Sequence, residues 1–271
     1  MPFPEELASG ILGLSLLGLN DDKNLMKNRT GIIAAMDSEL RDLLGDLHKE
    51  SSERIGGREI HYGRLEGHDV AMTLCGCGKV NAALTATLLA FHANVSRILV
   101  TGVSGGLAEG VTVGDVVIGD SFIQHDMDAR PLFPRHVIPY EGFSLIEAEP
   151  EMRTLLAGAA RGMLASKRPP GLENASVLEG LLVSGDLFLS DNEARESVLK
   201  ALPKACAVDM ESAAIAQVCR TGGLPLGVMR VISDSADGSA EIDFAKFVEN
   251  SASKACAETV RHALRALKDW D

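Results

Sequence analysis

The chain has 271 residues, 46% of them apolar and 24% charged, and a formal net charge of −12 from 38 acidic and 26 basic residues. That usage excludes a disordered, collagen-like or low-complexity chain, and a chain this long buries a core without disulfide or metal staples. The acidic excess carries no basic run, which excludes a nucleic-acid binder that must displace counterions with a positive stripe and disfavours docking on an anionic membrane surface.

Five cysteines are scattered along the chain. An odd, sparse set is unlike a secreted disulfide framework, so reduced thiols in a cytoplasmic protein are expected. Cys75 and Cys77 stand too close for a zinc pair, and all five are expected to serve packing. The apolar run Ile11 to Leu19 follows Glu5 and Glu6, where a signal peptide would carry Lys or Arg, and it is too short to span a bilayer. Residues 1–29 are therefore expected to be an N-terminal extension, with 30–271 as a single domain. The sequons at Asn28, Asn94 and Asn174 have no meaning in a chain that is not secreted.

In chain order, Gly31 to Ala35 reads as a short β-like run and Met36 to Leu47 as a helix. Glu59 to Gly63 and Val70 to Leu74 read as a hairpin turning at Glu66-Gly67-His68. The turn Cys75-Gly76-Cys77-Gly78 leads into a helix whose Val80, Leu84, Leu88 and Phe91 share one face, the expected inner face. Arg97 to Gly102 and Asp115 to Ile123 read as strands. Residues 127 to 150 hold four prolines and little periodicity, so a long loop is expected there. A helix from Pro150 to Met163, a strand from Gly180 to Asp186, a helix from Glu193 to Leu202 and a short strand from Cys206 to Val208 follow. Glu211 to Cys219 reads as a helix and Leu226 to Ser233 as a strand. A last helix is expected from Phe244 to Leu267, with Val248, Cys256, Val260, Leu264 and Leu267 inward. Such alternation implies one α/β domain, a three-layer α/β/α stack on a mixed central sheet.

Ligands of such sheets sit at the carboxyl ends of strands. Four segments lie there: Met36-Asp37-Ser38-Glu39, Gly102-Val103-Ser104-Gly105-Gly106, Asp209-Met210-Glu211-Ser212 and Ser233-Asp234. Each has a plain structural reading. Asp37-Ser38 could cap a helix, with Glu39 in its first turn. Asp209 and Glu211 could be helix-start acids, and Asp234 could open a turn. The glycine turn fits neither a Rossmann fingerprint nor a P-loop. Taken together, three acids and a glycine loop can converge on one pocket, and paired carboxylates with split roles are the machinery of glycosidic cleavage.

The segments GIIAAMDSE, TGVSGGLAEGVTVGDVV, SGDLF, AVDMESAAIAQVC and RVISDSAD, in that order over residues 30 to 267, resemble the nucleoside phosphorylase superfamily. They most resemble the bacterial 5′-methylthioadenosine/S-adenosylhomocysteine nucleosidases, and Met36 with Glu39 narrows the likeness to that branch. The resemblance implies the nucleoside phosphorylase fold and cleavage of an adenine N-glycosidic bond. Asp234 matches the general acid at purine N7 and Glu39 the base that activates water. Arg230 matches a residue near that water, Glu211 the ligand of the ribose hydroxyls, Met210 the floor under the sugar and Phe188 the ring stacked on adenine. Phe244 matches a lid-side aromatic. Met36, Ser104, Gly105, Leu189, Val208, Asp209 and Ser233 complete the expected substrate site. The resemblance implies a homodimer, no metal and no organic cofactor.

Phosphorylases of this superfamily hold phosphate with arginines, one of them before the glycine turn. Here that stretch is Leu99-Val100-Thr101, without a cation, and Glu39 would repel phosphate. Water is therefore the expected nucleophile. Rival readings are a phosphate-dependent phosphorylase, a hydrolase of another adenine nucleoside or nucleotide, and a non-catalytic nucleoside sensor. The chain departs from the family at Val103, where Ser is usual and Ser104 follows, and at Asp209, where Glu is common. The loop from His125 to Phe133 resembles a segment that reaches a neighbouring subunit's pocket; His125 and Asp126 are expected to be structural, not metal ligands.

Overall fold

The computed structural model describes residues 28–166, 168–236 and 251–267. The apolar runs form the middle of an eleven-stranded sheet. Its strands are β1 (Thr30–Ala34), β2 (His48–Ile55), β3 (Arg58–Leu65), β4 (His68–Leu74), β5 (Arg97–Val100), β6 (Val103–Gly106), β7 (Val116–Gln124), β8 (Ile146–Glu147), β9 (Val177–Ser184), β10 (Ala205–Asp209) and β11 (Leu226–Asp234). They lie in the order β2-β3-β4-β1-β5-β11-β6-β10-β9-β7-β8, and β7 also pairs antiparallel with β11. Strands β11, β6, β10, β9 and β7 thus close into a ring, while β5, β1, β4, β3 and β2 extend from it as an open sheet. The sheet is mixed: β1 runs parallel to β4 and β5, whereas β10 runs antiparallel to β6.

Helices cover both faces, as uninterrupted buried strands require. On one face α1 (Asp37–Asp46), α3 (Pro150–Ser166) and α6 (Ser253–Ala266) pack together; on the other, α2 (Lys79–Thr87) packs against α5 (Ser212–Gly222). The first layer buries Leu40, Leu43, Met152, Leu156, Val260 and Leu264. The second buries Ala82, Ala86, Leu89, Ala213, Ile215 and Cys219. The remaining helix, α4 (Asn192–Ala201), is opened by Asp191, whose carboxylate accepts from the Ala194 amide at 2.7 Å.

Three expectations change. The strand β2 was not expected, because its sequence HKESSERI is polar; it is an exposed edge strand paired antiparallel with β3. The glycine turn after β5 contains a strand, β6, whose four residues are all buried. Three of the four stripe residues face outward: Val80 is 80%, Phe91 67% and Leu84 40% exposed, whereas Leu88 is half-buried against the core, and the buried side is Ala82, Thr85, Ala86 and, in the π-helical turn Leu88–His92 that continues α2, Leu89. Cys256, Val260, Leu264 and Leu267 are buried as expected, whereas Phe244 and Val248 lie outside the described residues. Four of the five cysteines are buried and all are free. No helix among the described residues is long and apolar enough to cross a membrane.

Candidate active site

Glu39 is third in α1, and its carboxylate turns back over the helix start. Oε2 accepts from the amides of Ala35 (2.9 Å) and Met36 (2.8 Å), and Oε1 accepts from the Val103 amide (2.9 Å). It therefore caps its own helix and ties it to β6. Asp37, in the same turn, points to solvent and pairs with Arg41. Glu39 is 2% exposed. Burial pushes its carboxyl above the ordinary carboxylate range, while Arg230 and the three amides pull it back.

Arg230 projects from β11 and is 1% exposed. Its Nε lies 2.9 Å from Asp209 Oδ2 and its Nη2 3.2 Å from Glu211 Oε2. Burial alone would favour loss of its proton; Asp209, Glu211 and Glu39 outweigh that and hold it charged. Asp209 ends β10 and is fully engaged. Its Oδ1 accepts from the Ser184 hydroxyl (2.5 Å) and from the amides of Glu211 and Ser212 (3.0 Å each), and its Oδ2 accepts from the Ser212 hydroxyl. Asp209 is thus the helix-start acid of α5, its carboxylate consumed by structure. Glu211 keeps capacity: Oε1 accepts from the Gly78 amide (3.0 Å), and burial pushes its pKa up to about 7 against the pull of Arg230.

Asp234 ends β11 and is 2% exposed. Its Oδ2 accepts from the Ser233 hydroxyl (2.8 Å) and its Oδ1 from the Ala236 amide (2.8 Å). Gly105 lies opposite on β6, where a Cβ would come 3.0 Å from Asp234 Oδ1 and 2.9 Å from Ala236 Cβ, so only glycine fits without displacement. Gly102 has the same duty on the other side: a Cβ there would lie 2.7 Å from Glu39 Oε1 and 2.5 Å from Arg230 Nη1.

These groups line one cavity of about 110 Å³. Met36, Glu39, Ser104, Gly105, Phe188, Val208, Asp209, Met210, Glu211, Arg230, Ser233 and Asp234 all face it. Leu189 does not: it is packed among Leu107, Ile123, Val183 and Val198. Val103, noted in the glycine turn, lines the cavity as well, and sequence reading missed Ala35 and Cys77, which also line it. The signal was there for Cys77, since Gly76 (φ 73°) and Gly78 (φ 96°) flank it and swing the Gly78 amide onto Glu211. Of the pair His125-Asp126, Asp126 ties neighbouring segments together near the cavity. Asp126 lies 2.6 Å from Lys79 Nζ and accepts from the Asp186 amide, two residues before Phe188. A larger hollow of about 710 Å³ beside α6 holds Arg261 and Arg265, but Asp46, Glu258 and Glu66 pair with them. Among the described residues no group of three or more His, Cys, Asp or Glu side chains is placed to hold a metal ion.

A model of the phosphorylase superfamily matches residues 29–265. The chain belongs to the phosphorylase superfamily. Within it, the chain is 36% identical over 223 residues to the 5′-methylthioadenosine/S-adenosylhomocysteine nucleosidase of Staphylococcus aureus, covering 82% of this chain and 93% of that one. It is 33% identical over 220 residues to the enzyme of that name from Shewanella halifaxensis, covering 81% and 92%. The crystal structure of the Neisseria meningitidis nucleosidase in complex with methylthio-immucillin-A superposes with a TM-score of 0.80 at 32% identity, over 89% of this chain and all of that one. Futalosine hydrolase of Helicobacter pylori superposes equally well, at 0.80 and 29% identity, over 89% and 99%. This superfamily member therefore has the expected fold, and its relatives lie on the nucleosidase branch.

Proposed function

We propose that the protein hydrolyses the N-glycosidic bond of 5′-methylthioadenosine and S-adenosylhomocysteine, releasing adenine and the thioribose product. The observation that carries this reading is the pairing of Arg230. It is the one cation among the described residues lining the cavity, and Asp209 and Glu211 both hold it. A phosphate would enter a site where carboxylates outnumber positive charge; a neutral water would not be repelled.

In the proposed reaction a water bound at Glu39 attacks the anomeric carbon and yields its proton to the Glu39 carboxylate. The glycosidic bond breaks with its electron pair passing to purine N9, while Asp234 delivers a proton to N7. Burial makes Glu39 a stronger base than a solvated carboxylate. Glu211 holds the ribose hydroxyls, and the nearby carboxylates stabilise oxocarbenium charge as it develops. Met210 lies under the sugar, and Phe188, 46% exposed at the mouth, stacks on adenine.

The catalytic unit is proposed to be residues 30–271, with 1–29 as an extension before it. A cytoplasmic site is supported by the free, mostly buried cysteines. A homodimer is supported by the outward stripe Val80, Leu84 and Phe91, which borders a surface hollow of about 610 Å³ between α2 and α5.

The deciding experiment measures adenine release from methylthioadenosine, S-adenosylhomocysteine and adenosine, each with and without phosphate. Phosphate-independent release, fastest from the thio-nucleosides, is expected. Release only with phosphate, yielding ribose 1-phosphate, would overturn water as nucleophile. Release from none of them would move the substrate to another nucleoside, as the likeness to futalosine hydrolase allows.

A further inference from the structure

Among the described residues, the cavity contains one buried hydroxyl without a hydrogen-bond partner. Ser104 is 4% exposed, lines the cavity, and its Oγ has no hydrogen-bond partner among the described residues. Its neighbours are engaged: the hydroxyls of Ser184 and Ser212 donate to Asp209, and that of Ser233 to Asp234. A buried hydroxyl without a partner loses its hydration for nothing, so such an atom facing a cavity marks a ligand contact.

Its place on the strand says which part of the ligand. On one side of Ser104, the Val103 amide anchors Glu39. On the other, Gly105 pairs with Asp234 in the parallel β6–β11 ladder, and the Ser104 carbonyl lies 3.3 Å from the Ser233 hydroxyl that also holds Asp234. Ser104 therefore stands between base and acid, beside the bond to be cleaved. In a purine nucleoside two ring nitrogens flank the glycosidic nitrogen, N7 and N3. Asp234 takes N7. N3 is an acceptor and needs a donor, and a seryl hydroxyl can supply one.

We infer that the Ser104 hydroxyl donates a hydrogen bond to purine N3, an inference that rests on the purine nucleosidase reading above. The contact positions the base at a different ring edge from Asp234's proton transfer and withdraws electron density from the leaving purine, adding to the protonation at N7. Ser104 is thus a substrate-positioning residue and takes no proton itself.

The test compares inhibition by adenine and 3-deazaadenine, which has a C–H in place of N3, in the wild-type chain and in Ser104→Ala. The wild-type chain is expected to prefer adenine by about tenfold or more, one good hydrogen bond, and the preference is expected to shrink several-fold in Ser104→Ala. Any effect of the carbon substitution on N7 basicity acts in both proteins and cancels in the comparison. Because each ratio is internal to one protein, a loss of folded material in the variant does not affect it. An equal preference in both proteins would overturn the contact, and a fall in kcat with that preference unchanged would assign the hydroxyl to the water instead. If adenine fails to inhibit the wild-type chain at all, the purine reading itself falls, and this inference with it.

Discussion

Glu39 and Asp209 begin as the same kind of residue, acids near the start of a helix, and end with different work. Both cap. Asp209 spends both oxygens on serines, amides and Arg230, whereas Glu39 spends its oxygens on three amides and still faces the cavity. Sequence spacing placed both at strand ends and could not separate them, because capping and catalysis ask for the same residue type at the same position. Substitution separates them. Glu39→Gln and Asp234→Asn are each expected to lower kcat by roughly 10²–10⁴, the usual worth of a positioned acid or base, while a bound nucleoside analogue still quenches or shifts in a titration; a variant turning over at the wild-type rate would remove that residue from the mechanism. In the proposed mechanism the ionised Glu39 carboxylate is the active form, and burial raises its pKa, so activity should fall on the acid side at a higher pH than a solvated carboxylate would give. That limb is read from kcat against pH, and an acid limb at the ordinary carboxylate value would contradict the role. Arg230 is buried and held between the carboxylates of Asp209 and Glu211. Removing one partner of such a buried pair costs about 3–5 kcal/mol, so Arg230→Met is expected to lower the urea midpoint strongly as well as abolish turnover; a variant of normal stability would show that the pairs contribute little.

At the level of elements, the strongly apolar strands were legible and the edges were not. β1, β5, β7 and β11 are buried runs whose composition alone announces them. β2 exposes most of its residues, so its strand state comes from pairing with β3 and leaves no apolar alternation to read. β6 is two glycines, a valine and a serine, pinned by β10 and β11 on either side. The helix α2 shows the limit of periodicity more sharply. Val80, Leu84 and Phe91 do share a face, but a 3.6-residue period says that one face is apolar and not what covers it. Ala82, Thr85 and Ala86 pack inward because α5 approaches closely, and small side chains permit that. For α6 the same reasoning was sufficient: Val260 and Leu264 lie against α3 and α1 with no exposed surface to speak of. Leu264→Asp should therefore unfold the protein through an unpaired buried charge. The far-ultraviolet circular dichroism signal would be lost together with activity; a folded but inactive variant would mean that α6 acts on the site and not on the core.

The whole molecule carries a formal net charge of −12, which sets up repulsion between copies. Any self-association must use a surface that carries little of that charge. The outer side of α2 qualifies: Val80, Ala83, Leu84, Thr87 and Phe91 are uncharged, Lys79 is neutralised by Asp126, the adjoining wall from α5 offers Ala214, Gln217, Val218 and Thr221, and Glu141 and Asp186 are the acids that also line the hollow. The same surface runs up to Asp186, next to the loop that brings Phe188 to the cavity mouth, so pairing there would also brace the active site. Three outcomes follow from that placement. In sedimentation at micromolar concentration the protein is expected to be a dimer. Its dissociation constant should fall as salt rises from about 0.01 to 0.15 M, because the Debye length shortens from about 30 to 8 Å and net repulsion is screened. Phe91→Glu, at a position 67% exposed within one chain, should give a monomer with its secondary structure intact and a raised KM. A wild-type chain that sediments as a monomer at those concentrations would remove both the dimer and the bracing of Phe188. A dimer unaffected by Phe91→Glu would keep the assembly and move its interface elsewhere on the surface.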